Sequence, residues 1–241
     1  MTATCREGEL IWKFFERRTD GFFVEVGAND PQNSSQTWFL ESNGWRGILI
    51  EPLSRFYESL RAARPRSRVF QVACASPGHP PTAQLLVGEN SEHSSLRPNA
   101  VDADTRYVEN ETVRLMTLDE VLVEAGNPRL DFVSIDVEGL QLEVLRGFDL
   151  NRHKPPLLFV EDHLLNWSTH FYLCRRGYRL VKRTQLNNWY VPVGTPFHLS
   201  TAAERLRLWR KVWPGTPARM FKAWLRHRRS GAVGRSVERE R

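Results

Sequence analysis

The chain is expected to fold as an α/β protein, with a mostly parallel sheet and an antiparallel C-terminal edge. Three observations predict this. A buried-type strand, Phe22 to Val26, stops at Gly27 and opens into the loop Ala28-Asn29-Asp30-Pro31. Short apolar runs then alternate with helix-period segments along most of the chain. Two β-rich runs, Gly177 to Val181 and Trp189 to Pro192, close the series as a hairpin.

Taken in order, residues 6–18 carry Leu10, Ile11, Phe14 and Phe15 at helical spacing, which predicts a helix packed under the sheet. Thr19-Asp20-Gly21 stops it. In the strand that follows, Glu25 interrupts the apolar run, and a carboxylate there is costly unless something binds it. It reads either as a satisfied core acid or as a ligand-binding group. Gly27 has no Cβ and lets a ligand approach the backbone closely. A strand that ends this way is how open α/β sheets make a ligand crevice.

Asn33-Ser34-Ser35 can cap a helix over residues 36–43, with Gly44 beyond it. Gly47 to Ile50 is a second buried strand ending in Glu51. This acid lies 24 residues after Gly27, at the end of the next strand of a βαβ unit. That is the place from which an acid accepts the two ribose hydroxyls of an adenosine. A helix over 54–64 and a third strand over 68–73 follow. The strand delivers Ala73 and Cys74, where an adenine edge could be contacted. Cys74 reads as a small buried hydrophobe rather than a nucleophile.

Residues 82–87 are expected as a short extra strand. Residues 88–104 form a long polar loop of the kind that recognises or covers a substrate, with a plain surface loop as the alternative. Residues 111–116 predict another strand. Thr117 and Glu120 form a capping box for a helix over 118–125. Phe132 to Ile135 is the fourth core strand and runs into Asp136-Val137-Glu138-Gly139. Residues two apart face one side where the strand persists, so Asp136 and Glu138 can share a cleft. A helix over 140–146 leaves that turn. Residues 156–160 make the fifth strand, delivering Glu161, Asp162 and His163, and 168–176 read as a helix.

These stretches, in this order and spacing, resemble the FkbM family of S-adenosylmethionine-dependent methyltransferases. The carriers are VEVGANDP, NSSQTWFLESNGWRGILIEP, TLDEVL, DFVSIDVEGLQLEVLRGFDL and LLFVEDH, covering about Gly21 to Pro192. The resemblance implies a Rossmann-like class I methyltransferase fold and methyl transfer, usually to a hydroxyl oxygen of a sugar, glycolipid or polyketide. It implies that Glu25, Gly27 and Asn29 sit at the methionine part of the cofactor and that Glu51 holds the ribose. Asp136 and Glu138 would then face the junction of cofactor and acceptor. Pro31 stands where many relatives carry glycine.

Asp136, Glu138 and His163, all at C-terminal strand ends, are therefore the candidate proton acceptors for an attacking hydroxyl. No metal is assigned, because two carboxylates make a weak metal signature. A binding-only module remains an alternative, since fold alone does not establish function. An NAD-dependent oxidoreductase is the other. It is disfavoured because GANDP lacks the GxGxxG cradle for a pyrophosphate, which adenosylmethionine does not need.

The chain has 241 residues, 41% of them hydrophobic, enough for one large domain with an appendage. No apolar run reaches the length that crosses a bilayer. The N-terminus lacks a secretory h-region, and Cys5, Cys74 and Cys174 make no CxxC. A cytoplasmic protein is expected. The net charge of +6 is uneven. Residues 201–241 hold twelve Lys/Arg against three Asp/Glu, and residues 1–200 hold 22 against 25. A methyltransferase domain over 1–200 and a basic amphipathic tail over 201–241 are therefore expected. Tail helices over 202–213 and 218–229 would place Trp and Phe among Arg and Lys, which suits an anionic membrane surface, peripheral on the inner membrane. A helix packed on the domain or a disordered basic end are the alternatives. Nucleic acid is not expected, because the domain itself is acidic.

Overall fold

The computed structural model describes residues 3–33, 35–89, 94–96, 106–164, 167–222 and Trp224. Its centre is β1 (Phe22–Val26), which pairs in parallel with β2 (Arg46–Ile50) on one side and β7 (Phe132–Ile135) on the other. Further out lie β3 (Ser67–Phe70), β8 (Leu157–Glu161), β9 (Tyr178–Thr184) and β10 (Asn187–Pro192). The sheet has seven strands in the order β3-β2-β1-β7-β8-β10-β9. β10 runs antiparallel to both of its neighbours. The reversed strand thus lies one place in from the edge, where the hairpin reading alone put it at the edge.

Alternate residues of the central strands face opposite layers. Val24, Val26, Ile48, Ile50, Val133 and Ile135 pack with α4 (Leu118–Glu124), α5 (Gln141–Arg146) and α7 (Ser168–Cys174). Phe23, Leu49, Phe132 and Phe159 pack with α1 (Ala3–Phe14), α2 (Gln36–Ser42) and α3 (Ser54–Ala63). The Thr117/Glu120 capping box opens α4 as the sequence predicts. The short α6 (Leu150–His153) is capped by Asp149 and was not legible from periodicity.

One sequence expectation needs correction. The third strand ends at Phe70, not at Ala73. Ala73–Cys74 is a separate strand, β4, in a second sheet with β5 (Thr82–Gly88) and β6 (Tyr107–Met116), ordered β4-β6-β5. The chain steps sideways at Gln71 and Val72, and Val72 and Cys74 stay buried in the main core. Of the long loop, residues 90–93 and 97–105 lie outside the described residues, and Ser95 bridges to Leu86 of β5.

A buried ion network holds the crevice side of α2 to α3. Arg64 has no exposed surface and donates to Glu41 at 2.7 Å, to Ser35 and Thr37, and to the carbonyl of Pro31. Burying a guanidinium is tolerable only with its donors answered, as here. The contact to Pro31 ties down the loop that follows β1.

The tail begins as α8 (Ala202–Val212), with a Thr201/Glu204 capping box. Its start is pinned by Lys182, which donates to Glu204 at 2.9 Å, and its end by the Trp167 indole on the Val212 carbonyl. Residues 215–222 are again helical, and Arg219 donates to the Leu164 carbonyl. The rest of the second expected tail helix lies outside the described residues. No helix among the described residues is long and apolar enough to cross a membrane.

Candidate active site

The C-terminal ends of β1, β2, β7 and β8 open into a cavity of about 780 Å³. Each of the site residues expected from the sequence lines it: Glu25, Gly27, Asn29, Glu51, Ala73, Cys74, Asp136, Glu138 and His163.

Gly27 turns the chain at the mouth of β1 with φ +83°, and a Cβ there would meet the Asp136 carbonyl oxygen at 1.7 Å. The glycine is thus demanded twice, by the left-handed backbone and by the closeness of β7. Its N–H and that of Ala28 both donate to the Ile50 carbonyl, which fixes the loop across the end of β2. Asn29 also has positive φ, a conformation asparagine tolerates better than most residues.

Glu51 is 4% exposed and answers that loop. Its Oε2 accepts from the Asn29 N–H and its Oε1 from the Leu53 N–H, each at 2.9 Å. A carboxylate accepts about four hydrogen bonds, so lone pairs remain that could accept from a ligand in the cavity. Burial pushes its carboxyl from the usual 4.5 up to about 7, against the two backbone donors. Glu25 lies deeper. Ser35 and Thr37 donate to it from the cap of α2, and burial pushes its carboxyl up while Arg64 opposes that. Its carboxylate is answered inside the protein even though it touches the cavity. The Cys74 thiol is buried and pushed up to about 12, so it is neutral and no nucleophile.

At the other end, Asp136 and Glu138 sit on a tight turn, with Glu138 at φ +43° and Gly139 at +88°. A glutamate in that region is strained, a state that clusters at functional sites. Asp136 is half-buried and lines the cavity. Its carboxyl is held well above the ordinary carboxylate range, first by lost hydration and then by a hydrogen bond and charge repulsion with Glu161. Asp136, Glu138 and Glu161 each offer an oxygen within 4.8 Å of the others, a grouping that could hold a cation.

Two lining acids fall outside the residues singled out from the sequence. Glu161 stands next to Asp136 because Val160 pairs with Ile135 in the β7–β8 register. Glu7 comes from α1, and its Oε2 accepts from Asn187 at 3.0 Å. The sequence held a signal for it: Glu7, Ile11 and Phe15 are spaced four apart, on one helix face.

A mostly parallel sheet with one reversed strand near its edge, opening into a crevice where its central strand ends at a glycine, is the fold of class I methyltransferases. The chain belongs to the methyltransferase FkbM domain family, whose pattern it matches over residues 25–180. Its cofactor is accordingly S-adenosylmethionine. The chain is similar to a hexuronic acid methyltransferase of Haloferax volcanii, 24% identical over 166 residues, covering 66% of this chain and 69% of that protein. Among solved structures it is similar to a methyltransferase from Geobacter sulfurreducens, at 12% identity, with 76% of each chain covered and a TM-score of 0.42. It is also similar to a precorrin-6y C5,15-methyltransferase from Geobacter metallireducens, at 13% identity, with 76% and 85% covered and a TM-score of 0.39.

The raised Glu51 carboxyl sets a pH dependence. A folded-state value near 7 against 4.5 unfolded favours the protonated folded form, so this group's stabilisation is full below pH 4.5 and is lost as pH rises through 7. The loss is roughly 3 kcal/mol. Glu51→Gln should remove that part of the slope in denaturant unfolding measured from pH 5 to 8. Ribose hydroxyls favour the ionised carboxylate, so adenosylhomocysteine should bind wild type more tightly as pH rises toward 7. In the variant binding should be weaker by roughly 1–3 kcal/mol and nearly flat with pH. An unchanged unfolding slope in the variant would reject the role given to Glu51.

Proposed function

We propose that this methyltransferase methylates a hydroxyl oxygen of a sugar or other polyhydroxylated acceptor. The observation that carries the reading is the carboxylate cluster of Asp136, Glu138 and Glu161 at the mouth of the cofactor crevice. An alcohol is a poor nucleophile and needs a proton acceptor as it attacks, worth commonly about 10²–10⁴ in rate. The distant Haloferax relative, named for a hexuronic acid, supports a sugar-type acceptor.

When bound, adenosylmethionine supplies a methyl group activated by a cationic sulfur. Glu51 and the loop from Gly27 to Asn29 hold and orient it. Burial and the neighbouring Glu161 raise the Asp136 carboxyl and make it the poorer proton acceptor, and Glu138 is the base in this reading. Glu138 would take the proton that the acceptor hydroxyl gives up as its oxygen receives the methyl group. His163 lines the same cavity and is the alternative proton acceptor. Incubation with labelled cofactor and a panel of glycosides and polyketide alcohols tests this. Label in an alkali-stable methyl ether is expected; label only in methyl esters or amines rejects the reading.

We further propose that the tail rests on an anionic lipid surface, on the cytoplasmic face of the membrane. Trp209 is 56% exposed and Phe221 60%, with Leu206, Trp213 and Trp224 also exposed. Arg205, Arg207, Arg210, Lys211 and Lys222 are exposed among them, and no acid lies between residues 205 and 222. Aromatic rings with interleaved cations match an anionic headgroup layer. Sedimentation with phosphatidylglycerol vesicles should weaken at high salt and fall several-fold in a Trp209→Ser/Phe221→Ser variant. Equal sedimentation of that variant counts against the proposal.

A further inference from the structure

The segment after Ser200 reads from the sequence as an appendage, yet two of its residues are buried like core. Val212 is 2% exposed and Thr216 has no exposed surface. The tail packs against the stretch that follows β8. The Trp167 indole donates to the Val212 carbonyl at 3.2 Å, and the Trp213 ring lies 5.9–6.4 Å, centroid to centroid, from those of Trp167, His170 and Phe171. Arg219 touches the chain one residue from a cavity-lining side chain. Its Nε donates to the Leu164 carbonyl at 3.1 Å, while its Nη2 donates to the Lys211 carbonyl and the Thr216 hydroxyl, each at 2.8 Å. A planar guanidinium bonded on two sides is fixed in place, and so fixes what it bonds.

Residues 161–164 form the turn that leaves β8, and Glu161 and His163 on it line the cavity. The start of the turn is held by the sheet and α5. Gln141 donates to the Glu161 carbonyl at 2.6 Å, and the Asp162 N–H donates to the Leu186 carbonyl at 3.1 Å. The end of the turn is Leu164, 1% exposed and at φ +53°. That backbone is costly for a leucine and persists only where the surroundings hold it. The Leu164 N–H donates to the Asp162 carboxylate at 2.6 Å, and Arg219 donates to the Leu164 carbonyl. Of these two hydrogen bonds only the second comes from outside the turn. Asp162, which stands outside the cavity lining, is an acid whose charge acts on both Arg183 and Arg219, so turn and tail attract.

We infer that Arg219 is a positioning residue of the active site: from the tail it fixes the turn after β8, and so the places of Glu161 and His163 in the cavity. Arg219 does not itself line the cavity, so it acts through the turn. The functional unit then runs at least to Arg219 and does not stop near Ser200. The inference rests on the reading of this cavity as the site of methyl transfer.

The test is nuclear magnetic resonance of the full-length protein with isotope-labelled histidine, with adenosylhomocysteine bound. The His163 ring signal is assigned by its loss in His163→Gln. In Arg219→Ala that signal is expected to move or broaden. The Asp162 and Leu164 amides should exchange at least about tenfold faster relative to those of Gly27 and Ala28, while adenosylhomocysteine affinity stays within about twofold. The exchange ratio is internal to one protein, so a general loss of stability does not produce it. Arg219→Lys keeps the charge but has one nitrogen where the fork spans three acceptors, so it should resemble Arg219→Ala. Lys222→Ala, which removes an exposed charge from the same tail, should leave the His163 signal where it is. The inference is overturned by an unmoved His163 signal in Arg219→Ala, by amides that quicken equally throughout the protein, or by full recovery in Arg219→Lys. An effect of Lys222→Ala equal to that of Arg219→Ala also overturns it. If wild type fails to bind adenosylhomocysteine, the methyl-transfer reading fails instead, and a shifted His163 signal in free Arg219→Ala still upholds the positioning of the turn.

Discussion

Gly27→Ala is expected to abolish adenosylhomocysteine binding and to destabilise the fold by more than about 3 kcal/mol. The added Cβ would sit 1.7 Å from the backbone oxygen of Asp136. No side chain can swing away to relieve that contact. Either β1 separates from β7 at its C-terminal end or the loop leaves its left-handed turn, and both open the crevice. Asp136 N–H donates to the Val26 carbonyl at 2.9 Å, so separation also breaks the last rung between the two strands. Gly78 supplies the matched control. It has φ +81°, but a Cβ there meets nothing within 4 Å. Gly78→Ala should therefore cost only about 1 kcal/mol, from backbone conformation alone. Thermal melts and calorimetry on both variants measure the difference. Equal behaviour of the two would mean that the close approach of β7 plays no part.

Glu138→Gln is expected to slow single-turnover methyl transfer by at least about 10²-fold while leaving adenosylhomocysteine affinity nearly intact. Asp136→Asn should impair both. Asp136 continues the strand next to β1, so it stands nearer the loop from Gly27 to Asn29. Its carboxyl is the one driven upward by burial and by Glu161. Two carboxyls that share a hydrogen bond titrate as a pair, and holding one proton between them lowers their repulsion. Glu138 lies outside that hydrogen-bonded pair, on a turn with positive φ. Near wild-type turnover by Glu138→Gln would remove it from the mechanism and move the base to His163.

The parts of the site that lie at strand ends were legible in the sequence. Gly27, Glu51 and Asp136 each follow an apolar run directly, and a doubly wound sheet brings such ends together. The order of the strands was partly legible, because alternation of strand and helix fixes parallel pairing but not the place of the hairpin. That place depends on packing across the chain. Trp189 of β10 lies against Phe159 of β8 at 4.2 Å between ring centroids, a contact with no local signature. Glu161 followed its strand in the sequence, yet its nearness to Asp136 needed the register of β7 with β8. Glu7 shares the apolar face of α1, where a single acid leaves no mark in the periodicity. Arg64 ends the helix expected over residues 54–64, and only the buried Glu41 beside it explains its burial. Ala73 and Cys74 reach the cavity although their strand belongs to another sheet, since a two-residue sidestep leaves no mark in periodicity.

The most direct test of the central claim is a crystal structure of the protein grown with adenosylhomocysteine. The ribose hydroxyls are expected within hydrogen-bond distance of the Glu51 carboxylate, about 2.5–3.0 Å. The sulfur should face Asp136 and Glu138, with the loop from Gly27 to Asn29 along the methionine portion. A ligand bound outside this cavity, or with its ribose beyond the reach of Glu51, would contradict the account.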